Sequence, residues 1–355
     1  MEKAKVKRET KNKIKVDFER APLWVRIKQR FFSFNFLKNV VFKLFRLVLL
    51  IGITFVILYP YISKVFKSFM SISDMKDATV VLITKSPTFD QYWYILTQNG
   101  YLKAFITTFL VSLSVAFIQT LVCALVAYGL AKFKFKGNSI VFAFVIVTLM
   151  IPQEALKNSM TAFFRQITMI ETTLNPISLI LEPIQNWTNM FENGVGFTNS
   201  IIPLYILSIF GLGFKNGLFI FMLRQFFKGV PDELEESAFV DGSSTLRTFF
   251  SIIIPISIPM LVTVFIFAFS WQWTDDFYTK IFFDDYTKMS FMSTIDKVPT
   301  AIGEALKYES SAIYESYKAT LSGTASILIA LPLIVMYVFL QRRIVEGVER
   351  SGIVG

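Results

Sequence analysis

The chain has 355 residues, 54% of them hydrophobic, 16% aromatic and only 17% charged, with a mean hydropathy of +0.53. Soluble domains carry about a quarter of their residues charged, so this composition excludes a soluble enzyme and a disordered chain. There is no histidine and a single cysteine, Cys123. Histidine triads, zinc sites and disulfide frameworks are therefore excluded. Gly-Lys never occurs in the sequence. A Walker A phosphate loop is thus absent, and any ATP must be bound by another chain.

The first 46 residues hold 14 Lys and Arg. Trp24–Phe45 mixes basic with aromatic residues. This pattern predicts an interfacial segment on anionic lipid, with a partner-docking arm as the alternative. No cleavable signal peptide is expected, because the first apolar run starts late and is long.

Six apolar runs then follow: Leu47–Ser63, Ala104–Ala131, Gly137–Gln153, Ile201–Leu223, Thr248–Thr274 and Ala319–Gln341. A spanning helix needs about 20 apolar residues. The first run is short, but Arg46 and Lys64 can snorkel at its ends. None of the six shows the alternation of barrel strands. The prediction is an all-α polytopic membrane protein with six transmembrane helices.

Placing both termini inside gives inner segments of 90 residues with 23 Lys/Arg against 11 Asp/Glu. The outer loops, 136 residues, then hold 12 Lys/Arg against 15 Asp/Glu. The positive-inside rule fixes both termini in the cytoplasm. The net charge of +10 thus has a topological cause, and nucleic acid is not an expected partner. Residues 1–46 form the basic N-terminal segment, 47–341 the six-helix domain and 342–355 a cytoplasmic tail.

The inner loop 228–247 is the most informative stretch. Pro231 suits the first turn of a helix. Asp232, Glu233, Glu235 and Glu236 then lie at that helix's positive end. Gly242 can take the left-handed conformation that closes a helix. Ser243 and Ser244 can cap the next one, which runs into helix five. Leu234, Ala238 and Phe239 give the first short helix an apolar face. A rigid knob of this kind suits a groove on a soluble partner. A bland loop on the membrane surface is the alternative, but five acids face an anionic leaflet there.

These residues resemble a family. The permease subunits of ATP-binding-cassette importers, the binding-protein-dependent transport inner-membrane components, carry an EAA motif: Glu-Ala-Ala, three residues, Gly, nine residues, Ile, one residue, Leu-Pro. Here Glu236-Ser237-Ala238, Gly242, Ile252, Ile254 and Pro255 stand at those spacings. Ser237 and Ile254 depart mildly from the pattern. Asp241 and Pro259 fit it. Met222-Leu-Arg224-Gln-Phe226-Phe, Trp271-Gln-Trp273-Thr-Asp275, Leu340-Gln-Arg342-Arg-Ile-Val-Glu-Gly347 and the ending Gly352-Ile-Val-Gly355 resemble the carbohydrate branch, the maltose-transporter second permease type. The resemblance is tightest over 215–280 and 320–355.

The resemblance implies a type I ABC importer permease fold in the bacterial plasma membrane. It implies a non-catalytic subunit that holds no cofactor, with ATP and Mg bound by a dimer of partner ATPases. It also implies a second permease, normally a distinct chain, an extracytoplasmic solute-binding protein and a sugar substrate. The ATPase-coupling residues would be Glu236, Ser237, Ala238, Asp241, Gly242 and Pro255. Glu236 would touch the ATPase, and Val348–Gly355 would lie near that interface.

Sugar recognition needs aromatic faces and hydrogen-bonding groups in a concave site. Trp271, Gln272, Trp273 and Asp275 stand at the outer end of helix five, where interfacial anchoring also explains the tryptophans. Lys215 and Asn216 lie within helix four beside Gly211, Gly213 and Gly217, a cluster that implies a break or a close helix contact. An intramembrane lysine marks a cavity or a displaced helix end. Gln119 in helix two is a further pathway candidate. Cys123 reads as an inert buried thiol.

Two outer loops are long. Loop 152–200 contains Pro176, Pro183 and the polar stretch 186–196. Loop 272–318 carries Asp275, Asp276, Asp284 and Asp285, without the ordered spacing of a calcium site. Both are expected to help dock the external receptor, and no metal is expected. Within importers the alternative is another cargo, a non-sugar such as a glycopeptide or a modified sugar. A secondary transporter is the alternative class, but it needs titratable groups in the helices for coupling and only Lys215 is present. A membrane enzyme lacks a catalytic constellation.

Overall fold

The computed structural model describes residues 6–9, 15–18, 24, 34–174, 200–213, 215–283, 295 and 297–352. Most of the basic N-terminal segment, the outer stretch 175–199 with Pro176 and Pro183, the acids Asp284 and Asp285, and the last three residues lie outside these. The chain divides into two compact units, residues 1–64 and 65–355.

In the first unit, β1 (Val6–Glu9) pairs antiparallel with β2 (Lys15–Phe18). Lys7 stands opposite Asp17 and Glu9 opposite Lys15. Two facing opposite-charge pairs favour this register, which composition alone did not suggest. Helix α1 (Phe34–Lys67) follows. It is 34 residues long and extends the predicted first span at both ends.

The second unit is built on α4 (Tyr101–Lys132), preceded by α2 (Ile72–Lys76) and α3 (Asp90–Thr97). Ala104, Ala116, Ala124 and Ala127 of α4 are fully buried. Small residues let neighbouring backbones come close where no water drives association. Later helices pack on this surface from several sides.

The third, fourth and fifth predicted spans are interrupted. The third begins as α5 (Asn138–Met150), only 13 residues, then bends by 94° through Pro152 and a 3₁₀ turn into α6 (Lys157–Leu174). The first part of the predicted outer loop 152–200 is thus helical. The fourth span is two helices, α7 (Ile202–Ile209) and α8 (Asn216–Lys228). The glycine cluster marks a break and also a close contact. A Cβ on Gly217 would lie 3.1 Å from the Val145 carbonyl oxygen of α5.

The fifth span follows the inner loop's short helices, α9 (Glu233–Val240) and α10 (Thr245–Thr248). A π-helical turn over Phe249–Ile253 and α11 (Ile254–Ile256) lead to α12 (Ile258–Trp273), with an 82° bend. Pro255 and Pro259 flank this bend and supply no N–H. Ser257 closes it: its Oγ donates to the Ile253 carbonyl at 2.6 Å. Helices α13 (Phe277–Phe282), α14 (Thr300–Glu309) and α15 (Ser311–Gly352) complete the unit. Among the described residues, three helices are long and apolar enough to cross a membrane unaided, or five if each bent pair counts as one span.

Helix α15 contains Pro332. A proline inside a helix orphans the carbonyl four residues earlier and opens the turn around it. That carbonyl, Leu328, accepts from the Tyr101 hydroxyl at 3.4 Å. Its neighbour Ile329 accepts from the Trp273 indole at 2.9 Å. Two aromatic donors from other helices therefore serve the carbonyls of the turn before Pro332.

At the end bearing α2 and α3, Asp74 is buried and accepts from the backbone N–H groups of Lys85 and Ser86, each at 3.0 Å. Gln91 donates to the Met70 carbonyl and accepts from Thr324 of α15. A second small apolar core joins Val111 and Val115 of α4 to Phe164, Leu204, Tyr278 and Phe282.

Candidate functional site

Helix α9 is the predicted knob, and its corner is a Schellman motif. Ser243 N–H donates to the Ala238 carbonyl and Gly242 N–H to the Phe239 carbonyl. Gly242 has φ +80°, and a Cβ there would meet nothing within 4 Å. Glycine is required by backbone conformation alone. Ser244 then caps α10, accepting from Arg247 N–H at 3.4 Å. Pro231 lies two residues ahead of the first helical residue, outside the first turn where the sequence put it.

The faces of α9 differ from the predicted arrangement. Ala238 is buried beside Glu235, whereas Leu234 and Phe239 face outward with Val240, which is 88% exposed. The apolar residues thus divide between an inward and an outward face. Glu236, Ser237, Asp241 and Gly242 are all exposed. Pro255 lies away from them, at the bend into α12.

The inward face carries an ion-pair hub that the sequence reading missed. Lys132, in the last turn of α4, has a side chain only 6% exposed. It contacts Glu235 Oε1 at 3.3 Å, Asp232 Oδ1 at 2.5 Å and the Val230 carbonyl at 2.6 Å. Tyr128, one turn earlier on α4, donates to Glu235 Oε2 at 3.1 Å. Hydrogen bonding to Lys132, and then its charge, hold the Asp232 carboxyl below the usual range. The available signal was the spacing of Glu235 and Ala238, three apart and so on one helical face.

Arg224, in the stretch that resembles the carbohydrate branch, is also structural. It donates through Nε to the Leu130 carbonyl at 3.2 Å and lies 3.7 Å over the Phe142 ring. A cation at the end of α4 complements that helix's negative terminus.

At the break between α7 and α8 a cavity of about 440 Å³ opens. Lys215, Asn216 and Trp271 line it, with Thr148, Met160 and Tyr278. Lys215 adopts φ +61°, the one positive φ outside glycine among the described residues. Gln119 lies beside this site: a Cβ on Gly213 would run into its amide. The other two pathway candidates do different work. Trp273 is 2% exposed, packs edge-on against Phe105 and donates to Ile329. Asp275 caps α13, accepting from the N–H groups of Tyr278 and Thr279 at 3.1 Å each. Asp276 pairs with Lys280. Cys123 is fully buried, its sulfur 3.8 Å from the Asn216 carbonyl.

Residues 121–350 match the family of binding-protein-dependent transport system inner membrane components. The chain belongs to that family. It is a multi-pass membrane component of a transport system. It is 25% identical over 305 residues to the maltodextrin transport system permease MalD of Streptococcus pneumoniae, covering 85% of this chain and 92% of that one. It is 22% identical over 306 residues to the arabinooligosaccharide transport system permease AraQ of Halalkalibacterium halodurans, covering 85% and 93%. A polygalacturonan/rhamnogalacturonan transport system permease, YtcP of Bacillus subtilis, is 20% identical over 322 residues, covering 90% and 100%. The fold is similar to a chain in the crystal structure of a bacterial ABC transporter involved in alginate import. The TM-score is 0.62 at 18% identity, over 86% of this chain and 97% of that one.

Proposed function

We propose that this chain is one of two permeases of an ATP-driven sugar or oligosaccharide importer, crossing the plasma membrane six times with both termini inside. Its relatives named above serve saccharide transport. The broken fourth segment and the two bent pairs supply the three further crossings. Helix α9 is the coupling element: a separate ATPase grips its exposed face, with Glu236, Ser237 and Asp241 at the contact and Gly242 shaping the corner. Hydrolysis by that ATPase pulls or pushes on α9, and Lys132 passes the displacement to α4. An external binding protein delivers the sugar on the opposite side.

The observation that carries this reading is the Schellman corner itself. It presents Leu234, Phe239 and Val240 to solvent next to carboxylates, and Lys132 and Tyr128 lock its back to a long buried helix. A loop resting on lipid needs no such lock.

The test is purification of the tagged full chain in mild detergent from its own membrane. Recovery of an ATPase and a second permease, with hydrolysis stimulated by a sugar and its co-purified receptor, is the expected outcome. Recovery of the chain alone, under conditions that keep other importers intact, would overturn the proposal.

A further inference from the structure

The geometry points to a binding site for one anionic phospholipid on this chain. A recess between the ends of α4 and α8 and the start of α5 takes the lipid phosphate, which Arg224 holds. The inference rests on the importer reading above only for topology, which sets this recess at the cytoplasmic leaflet.

The recess has a volume of about 530 Å³. Its charged lining residues are Lys134, Lys136, Arg224 and Lys228, with no acid among them. Lys136 and Lys228 are exposed and have no ion pair among the described residues. Like charges gathered in this way repel, and a bound anion relieves the repulsion.

Arg224 supplies the specific contact. It is 9% exposed. Its Nε donates to the Leu130 carbonyl, and its guanidinium lies over the Phe142 ring. Both terminal nitrogens lack an acceptor among the described residues, yet neither is sealed inside the protein. Arg224 lines the recess, so that is where they open. The end of α4 does not need these donors, because the Asn138 amide also serves the Leu130 and Phe133 carbonyls. A guanidinium fixed at its face and at Nε presents a planar fork, the shape that meets two phosphate oxygens.

The surroundings favour a lipid over a soluble phosphate. Lys134 and Lys136 alternate with Phe133 and Phe135, both of them exposed. Basic and aromatic residues mixed in this way suit the level of the headgroups. From the recess α5 runs on as an apolar helix with no buried residue. Ile140, Val141 and Phe144 stand exposed along it. The phosphate sits in the recess and the acyl chains lie along α5. An acidic face of a partner protein would match the charges and leave that apolar helix unmatched.

The test is native mass spectrometry of the full chain, with the subunits that co-purify, from a non-ionic ether detergent. Phosphatidylglycerol is titrated against phosphatidylcholine. Wild type should retain one phosphatidylglycerol at least about tenfold more strongly. Arg224→Lys keeps the charge, loses the fork and should weaken retention. Lys136→Gln/Lys228→Gln alters only exposed side chains and serves if the Arg224 variant does not fold. It should weaken retention at least about fivefold. Lys38→Gln/Lys43→Gln removes two exposed charges of α1 and should behave as wild type. Equal retention of the two lipids, or equal loss in the α1 variant, would overturn the site. So would wild-type retention in both recess variants. Glycerol 3-phosphate at the same concentration should leave the lipid bound, and displacement would assign the recess to a soluble phosphate instead. A complex with ATPase and second permease that retains no lipid would assign it to a protein partner and overturn the proposal. Absence of those subunits counts against the importer reading, and lipid retention is still read from the chain alone.

Discussion

Lys132 and Glu235 face each other at 3.3 Å across the junction of α4 and α9, both almost buried. Removing one partner of a buried pair costs about 3–5 kcal/mol, whereas exchanging both for apolar groups can be neutral. Lys132→Met should therefore loosen α9, and Lys132→Met/Glu235→Leu should restore most of its order. Amide hydrogen exchange over 233–240 checks this. Protection in the single variant equal to wild type would show that the pair does not hold the helix.

Gly242→Val forces a β-branched residue to φ +80°. The left-handed region costs an L-residue about 1–2 kcal/mol, and the open space around the site leaves backbone strain as the sole cause. Coupled transport should fall steeply while membrane insertion persists. Gly242→Asn, which tolerates this conformation better, should retain much of the activity. Equal loss in both variants would point away from the corner's geometry.

Trp273→Phe keeps most of the ring packing against Phe105 and removes the donor to Ile329. The Ile329 carbonyl, in the turn before Pro332, then loses that donor, at a cost of about 1–3 kcal/mol. The thermal midpoint should drop. Trp271→Phe should leave the midpoint near wild type and change sugar uptake instead. The two tryptophans, two residues apart in sequence, are thereby distinguished by which measurement moves.

Acid should loosen the region around α2 and α3. The Asp74 carboxyl sits below its ordinary value, chiefly through the Ser86 backbone N–H, with the Ser86 hydroxyl and Lys85 adding to it against a burial penalty. A depressed carboxylate contributes stability that is complete above its unfolded value, about pH 4, and is lost as pH falls toward the folded one. Limited proteolysis over 68–90 should accelerate below about pH 4 in wild type. Asp74→Asn, already lacking that charge, should show a smaller acid step, the remainder coming from Asp77, whose carboxyl Lys85 and Thr79 also hold low.

Much of the corner at Gly242 was legible in the sequence, because turn chemistry is local: Gly242 and Ser244 act where their neighbours said they would. The glycines around Lys215 announced a break or a close contact, and the structure has both. What stayed hidden depends on partners far apart in the chain. Lys132 and Glu235 are separated by about a hundred residues, and no local pattern distinguishes Glu235 from Glu236 until the helix is set against α4. Trp271 and Trp273 look equivalent at the end of an apolar run. Only a carbonyl of another helix, Ile329 in the turn before Pro332, gives Trp273 its partner. The bends at Pro152 and Ser257 escaped a reading based on apolar run length, which ignores where the backbone turns inside the run.

The divided fourth segment has a consequence for biosynthesis. Its halves, α7 with 8 residues and α8 with 13, each fall short of the roughly 20 needed to cross a bilayer alone. The break between them exposes peptide groups that lipid does not solvate. During synthesis α4 is finished well before these halves emerge, and both pack on it. The earlier helix therefore serves as the template on which the later pair is retained, so a defect on that face of α4 should appear first as failed insertion of residues 202–228, before any loss of transport can be measured.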